Sequence, residues 1–416
     1  MTVGMIERSA PAPDPPLGPA AANPIRRILV ARGLRDFGDG LVAVLLPAYL
    51  VALGFGAAEV GAVATIALAG SALMTIGVGV LGTRADTRLL LVLAAVLMVA
   101  SGLGFAAAAS FAVIAAIALV GTINPSAGSV SIFVPLEQAL LTQAAPDVGR
   151  TAIFARYSLV GALAAAVGAL AAAGPEAIAA TGVPWLAALQ SSFLLYALLG
   201  VACFAAYARI PRRAAAERPA GRAPLGPSRS IVVRLAALFS VDAFAGGLAV
   251  QSLLALWLFE RFGLSLAEAG LFFFWSGVLS AFSFPVAAWL AGRIGLVNTM
   301  VFTHIPSSLF LIGAALAPTV ELALGLLLLR AALSQMDVPT RTSYVMAVVT
   351  PAERTAAASF TAVPRSLAAA ASPALAGAMF AAGYQSAPLI ACGMLKIAYD
   401  IALLVAFRHI KPPEEQ

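Results

Sequence analysis

Val134-Pro135, followed by Arg150-Thr151-Ala152, returns 204 residues later as Val338-Pro339, followed at the same spacing by Arg354-Thr355-Ala356. Two further echoes agree. Gly79-Val80-Leu81-Gly82-Thr83-Arg84 is matched by Ala288-Trp289-Leu290-Ala291-Gly292-Arg293, and Glu59-Val60-Gly61 by Glu268-Ala269-Gly270, both offset by 209. The comparison rests on Pro, Arg and Glu, because matches within Ala-rich runs carry little information. The chain therefore reads as a duplication. Two similar, almost wholly apolar halves are the plan of many membrane transporters, with a solute path at the interface between them.

Composition gives the solvent. Of 416 residues, 61% are hydrophobic and 11% charged, and the mean hydropathy is +0.97. A water-soluble domain of this length could not bury so much apolar surface, so the surroundings are a lipid bilayer. Residues 1–24 are Pro- and Ala-rich without periodicity and read as a disordered tail. Cys203 and Cys392 lie in apolar stretches and give neither a disulfide framework nor a metal spacing. His304 and His409 fit no metal-ligand pattern and read as minor. The sequence carries no ATPase-type phosphate loop, triad pattern or catalytic cysteine pair. No enzyme activity, cofactor or metal is expected. The pI near 9.7 does not point to nucleic acid, because the basic residues gather in alternate loops, where they set topology.

A crossing needs about 20 apolar residues. Twelve spans qualify, at about 30–53, 59–81, 88–108, 112–141, 152–173, 184–207, 232–258, 267–291, 298–317, 320–347, 356–381 and 387–407. The expected fold is an all-α integral membrane protein of 12 transmembrane helices in two pseudo-symmetric six-helix halves. Its parts are a cytoplasmic tail (1–24), an N-terminal half (25–207), a linker loop (208–231), a C-terminal half (232–408) and a second tail (409–416). One set of loops holds Arg26, Arg27, Arg32, Arg84, Arg88, Arg150, Arg293, Arg354, Arg408 and Lys411, with seven more arginines in 208–234. The alternate loops hold Glu59, Glu176, Glu260, Glu268 and Glu321, and of basic residues only Arg261. The positive-inside rule puts both termini and the central loop in the cytoplasm. Compact loops and Ala- and Arg-rich usage suggest a bacterial inner membrane.

These residues resemble the major facilitator superfamily. Its signature between helices 2 and 3, G-x-L-A-D-R-x-G-R-R, is approximated by Gly79-Val80-Leu81-Gly82-Thr83-Arg84-Ala85-Asp86-Thr87-Arg88 and again by Leu290-Ala291-Gly292-Arg293. Thr83 and Gly292 stand where the family carries Asp. The resemblance implies a conformational latch at the cytoplasmic face, here on Arg84, Asp86, Arg88 and Arg293. Gly40 and Pro47 resemble the helix 1 signature of drug exporters. The antiporter signature of helix 5, G-x-x-x-G-P-x-x-G-G, survives as Gly161 and Gly168, with Ala169 in place of Pro. Helix 11 carries its softened counterpart, Ser372-Pro373 and Ala376-Gly377, where small residues permit close packing and Pro373 bends the helix. The likeness spans about 25–410. It implies a small organic solute, alternating access and monomeric action.

Ionisable groups at bilayer depth are costly and should face the interior or a partner. In the superfamily, helices 1, 4, 7 and 10 line the cavity. That makes Asp242, Asp39, Asp36 and Glu137 the proton-coupling candidates, since a carboxylate removed from water can exchange a proton near neutral pH. Asp36 has a competing assignment as a partner of Arg35 or Arg32. Glu137 and Arg341 are close to repeat-equivalent and could face each other across the cavity; Arg341 could equally pair with Asp337 at i, i+4. Gln138 and Gln335 are neutral hydrogen-bonders nearby. Arg330 and Arg365 lie deep and would contact an anionic solute or pair with Asp242 or Glu137. Lys396 and Asp400, again i, i+4, are expected to neutralise each other locally. The favoured function is proton-coupled export of a small organic molecule. Proton-coupled uptake of a sugar or organic acid is the main rival, and a transporter-like sensor a further one.

Overall fold

The computed structural model describes residues 19–81, 86–126, 131–144, 150–211, 225–350 and 353–410. Arg84, most of the linker and most of both expected tails lie outside them. The main helices of the described residues form rods, numbered here in chain order, the two parts of a broken rod sharing a number. The first half holds α1 (Pro19–Ala52), α2 (Ala57–Leu81), α3 (Thr87–Ala107), α4a (Phe111–Val120) with α4b (Phe133–Ala144), α5 (Arg150–Leu170) and α6 (Trp185–Ala208). The second holds α7a (Arg229–Gly247) with α7b (Gln251–Phe262), α8 (Leu266–Ile294), α9 (Leu296–Leu316), α10a (Val320–Ser334) with α10b (Asp337–Val348), α11a (Arg354–Ala371) with α11b (Pro373–Ala381), and α12 (Ala387–Phe407). Among the described residues, nine helical stretches are long and apolar enough to cross a bilayer. The first rod misses that measure because Arg35, Asp36 and Asp39 lie within it.

Local chemistry sets the ends. Ser265 caps α8, accepting from the Glu268 N–H at 3.2 Å while the Glu268 carboxylate accepts from the Ser265 N–H at 2.8 Å. Gly263 stops α7b in the left-handed region at φ 67°. Several helix ends differ from expectation. α1 begins at Pro19, inside the expected tail, and α7a begins at Arg229. Four expected continuous spans are broken. In the fourth, Asn124-Pro125 lies in the break, because Pro lacks an N–H for the helix ladder; Pro373 does the same between α11a and α11b. The α7 break falls at 248–250 and the α10 break at Gln335-Met336. Irregular backbone at this depth is tolerated where protein or a cavity surrounds it.

Large apolar side chains remain exposed around the bundle, including Leu198 (63%), Phe282 (66%) and Val405 (68%). In water this would be an aggregation surface; in a bilayer it is the lipid face. The core is not symmetric from end to end. One cluster runs through both halves, from Leu41–Leu50 of α1 to Leu253–Leu258 of α7b and Phe380 of α11b. At the end bearing the described termini, the near end, the second half keeps its own core of Val232, Phe239, Val297, Tyr344 and Phe407. The halves join at the opposite, far end. There Gly61 of α2 meets the Pro373 carbonyl and Gly377, and Gly270 of α8 meets the Ala169 carbonyl. The Ala374 N–H donates to Thr65 Oγ1 at 2.8 Å, the Ser252 N–H to the Pro125 carbonyl at 3.1 Å and the Leu266 N–H to Glu176 at 2.6 Å.

The near end is tied by side chains to loop backbone. Glu353 accepts from Ser228 Oγ and Thr350 Oγ1, both at 2.6 Å, and from the Gly226 N–H, pinning the start of α11a to the start of α7a. These hydrogen bonds, Ser228's first, hold its carboxyl down at about 2, below the ordinary 4.5. A lowered value means the contribution is complete above the ordinary value and is lost as pH falls toward the folded one. Glu353→Ala should therefore lower the melting temperature by an amount that stays constant from about pH 6 to about pH 8. A deficit that grows steadily with pH across that window, measured in detergent, would show that another group carries the effect.

Candidate functional site

Two buried ionic clusters sit inside the bundle, one in each half. The first forms because α1 packs against α4b, α5 and α6. Arg35 lies at its centre, 1% exposed. Its guanidinium pairs with Asp36 at 2.9 Å, Glu137 at 3.2 Å and Asp39 at 3.4 Å. Arg32 pairs with Asp36 at 2.7 Å and stacks over the Tyr157 ring at 4.5 Å. Glu137 is fully enclosed and accepts the Tyr157 and Tyr207 hydroxyls, each at 2.5 Å. Asp39 is held more loosely. Its contacts with Arg35 and the Tyr196 hydroxyl are both 3.4 Å, and that hydroxyl also reaches the Thr122 carbonyl at 3.1 Å. One O–H proton serves one acceptor well, so Asp39 competes for it at the longer distance.

The second cluster forms because α7a packs against α11a and α12, and α12 packs against α9. Asp242 is bracketed by Lys396 at 2.6 Å and Arg341 at 3.1 Å. Arg341 also holds Asp337 at 3.0 Å. His304 Nδ1 lies 3.1 Å from both oxygens of Asp400, and its Nε2 lies 3.3 Å from Lys396 Nζ. An ammonium only donates, so Nε2 presents its lone pair, and Nδ1 carries the hydrogen donated to Asp400.

The halves thus repeat one device with the signs exchanged. The first and fourth rods are bridged by Arg35–Glu137 in one half and Asp242–Arg341 in the other. This corrects two expectations. Glu137 and Arg341 do not pair with each other: Glu137 meets Arg35 on the first rod of its own half, and Arg341 meets Asp242 there and Asp337 at i, i+4, the alternative pairing its spacing offers. Lys396 and Asp400 do not neutralise each other. Packing of α12 on α7a and α9 offers Lys396 the Asp242 carboxylate and Asp400 the His304 ring.

The other sequence candidates scatter. Gln138 is half-buried on α4b, and Gln335 is exposed at the end of α10a. Arg330 is half-buried on α10a, where Ser307 of α9 donates to its carbonyl at 3.4 Å. Arg365 is exposed on α11a. Among the proposed latch residues, Asp86 caps α3, accepting from the Arg88 N–H at 3.0 Å. The Arg88 side chain donates to the last carbonyls of α6, Tyr207 and Ala208. Arg293 stacks on Trp289 of its own helix at 4.1 Å. These described latch contacts stay within one half. Gly161 faces Arg32 and Asp36, and Gly168 faces the Phe37 carbonyl. Sequence reasoning missed His304 and the tyrosines Tyr157, Tyr196 and Tyr207. Their signal was a polar group inside an apolar span, but nothing in the sequence says which neighbour it meets. No group of three or more metal-ligating side chains occurs among the described residues.

Helical rods in two like halves, sheathed in apolar side chains and charged within, define a multi-pass membrane transport protein. The chain belongs to the Major Facilitator Superfamily, whose family model matches residues 28–334. It is 23% identical to an uncharacterized membrane protein of Saccharomyces cerevisiae, over 93% of this chain and 94% of the yeast protein. Among solved structures it resembles the nucleoside transporter NupG, with a TM-score of 0.71 and 14% identity over 93% of this chain and 100% of that one. It also resembles a bacterial homologue of the human lysosomal transporter Spinster, inward-facing and unoccupied, with a TM-score of 0.68 and 16% identity over 94% and 96%. At these identities the likeness of the solved structures establishes the fold alone.

Proposed function

We propose that this chain is a proton-coupled carrier that exports a small organic solute by alternating access, with Asp39 as its principal proton carrier. The observation that carries the coupling is a count of charges. In the first cluster three carboxylates, Asp36, Asp39 and Glu137, face two guanidiniums, Arg32 and Arg35. An uncompensated buried charge is costly, so the surplus carboxylate is where a proton belongs. Asp39 makes the longest contacts of the three. Asp242, bracketed by two cations, is the poorer carrier and serves as an ion-pair hub.

Alternating access is supported by the uneven seam between the halves. The far end is joined, and the basic near end faces the cytoplasm by the positive-inside rule. This arrangement is the inward-facing one. Export is supported by the exporter-like glycines: Gly40 lies against the Ala165 carbonyl and Gly168 against the Phe37 carbonyl, so α1 and α5 touch backbone to backbone.

A thermal-shift screen of the purified protein at two pH values would first identify a solute. Proteoliposomes with a pH dye inside then test the coupling. Wild type should move protons when that solute is added, and Asp39→Asn should abolish the proton movement while solute exchange persists. Proton movement undiminished in Asp39→Asn removes Asp39 from the mechanism. Proton-driven accumulation in right-side-out rather than inverted vesicles would make the carrier an importer.

A further inference from the structure

Arg365 stands apart from the other charges of the second cluster. It lies eleven residues past Arg354, the start of α11a, or about 16 Å along a core about 30 Å thick. Its electrostatic neighbours are Arg341, Asp242 and Asp337. Arg341 and Lys396 each hold a carboxylate. Arg365 makes no ion pair or side-chain hydrogen bond among the described residues, and it remains exposed.

The helix shows where that exposure points. Phe360 (54%), Val363 (36%) and Leu367 (44%) form the apolar exposed stripe of α11a. At 100° per residue Arg365 projects opposite that stripe, on the side of the buried Ala357 and Thr361 and of Ser372, whose hydroxyl donates to the Phe244 carbonyl of α7a. α11a packs against α7a and α10b of its own half and against α2 of the other, so its inward side faces the boundary between the halves. The repeat sharpens the point. The counterpart of Arg365, 204 residues earlier, is Gly161. A Cβ there would strike the Asp36 carboxylate and the Arg32 guanidinium. In one half an ion pair fills this position. In the other, a guanidinium stands without a carboxylate.

We propose that Arg365 is the anion-binding group of the cleft, and that the transported solute carries an oxyanion, whether carboxylate, sulfonate or phosphate ester, that this guanidinium clasps. A planar fork of N–H donors fits such a group bidentately, and an unpaired guanidinium at this depth is balanced when the solute supplies the counter-charge. The inference rests on the carrier reading above but not on its proton coupling.

The test is binding at one fixed pH with the full chain in detergent. The probes are carboxylates, sulfonates and phosphate esters of common aryl, alkyl and sugar skeletons, each beside its neutral ester or amide and its amine. Wild type should be stabilised by anions and not by their neutral or cationic counterparts. Arg365→Gln should weaken the best anion about tenfold or more, and Arg365→Lys should fall between. Without ligand, Arg365→Gln should melt where wild type does, because no internal partner is lost; a residue with a purely structural role would lower it. Four outcomes overturn the proposal: no anion stabilises wild type, only cations or neutral compounds do, the anion effect survives in Arg365→Gln, or the ligand-free variant melts early. Binding is read without a proton gradient, so wild type that binds the anion yet moves no protons in proteoliposomes would count against the coupling alone.

Discussion

Asp242→Asn is expected to destabilise the protein by about 3–5 kcal/mol, the scale of removing one partner from a buried ion pair. The loss falls unevenly on its two cations. Arg341 keeps Asp337 at 3.0 Å, whereas Lys396 loses the one carboxylate it pairs with among the described residues and is left with the lone pair of His304 at 3.3 Å. The stranded ammonium dominates the cost. Asp242→Asn combined with Lys396→Met should therefore recover most of the lost stability, because the double change removes both charges and keeps side-chain length. Lys396→Met alone should cost less than Asp242→Asn, since Asp242 retains Arg341 at 3.1 Å. Unfolding of the four proteins in a common detergent gives the coupling energy directly. Additive losses in the double variant would mean that the 2.6 Å contact between Lys396 and Asp242 contributes nothing to folding.

Gly61→Ala and Gly377→Ala should each shift the protein out of the far-closed state without unfolding either half. A Cβ on Gly61 would lie 2.5 Å from the Pro373 carbonyl oxygen and 2.8 Å from the Gly377 Cα. On Gly377 it would lie 2.6 Å from the Ala57 carbonyl oxygen. Backbone on both sides cannot yield as a flexible side chain would. Overpacking of this kind costs about 1–3 kcal/mol. The strained contact joins α2 of one half to α11b of the other, so the cost falls on the conformation in which they touch, and the population moves toward the one in which they part. Spin labels at the far ends of α2 and α11b should report a longer distance. Gly168→Ala is the contrasting case. It collides with the Phe37 carbonyl inside one half, and should lower the yield of folded protein instead. An unchanged far-end distance in both seam variants would show that α2 and α11b do not form the closing contact.

The likeness of the halves makes the exchanged charges of the two clusters informative. A bridge between the first and fourth rods is kept in both, as Arg35–Glu137 and Asp242–Arg341. Each bridge ties two rods within one half. What differs is the group held most loosely: the Asp39 carboxylate on α1 and the Arg365 guanidinium on α11a. The proposed proton site and the proposed anion site thus fall in opposite halves, where a change in their separation would couple them.

The sequence alone determined the solvent, the duplication and the family. Composition requires a bilayer, and the recurrence of Val-Pro and Arg-Thr-Ala 204 residues apart requires two like halves, because each is a property of the chain read in order. It also marked Asp36, Asp39, Glu137, Asp242 and Arg341, since charge inside an apolar span is conspicuous. It could not say which charges meet. An i, i+4 spacing made Lys396 and Asp400 look like a pair, because spacing along one helix is all a sequence displays. Only the packing of α12 against α7a and α9 brought Lys396 to Asp242 and Asp400 to His304, and only the placement of the rods left Arg365 without an ion-pair partner among the described residues. Ion pairing at bilayer depth is decided by whichever opposite charge lies within about 4 Å, and that distance is set between helices, not along them.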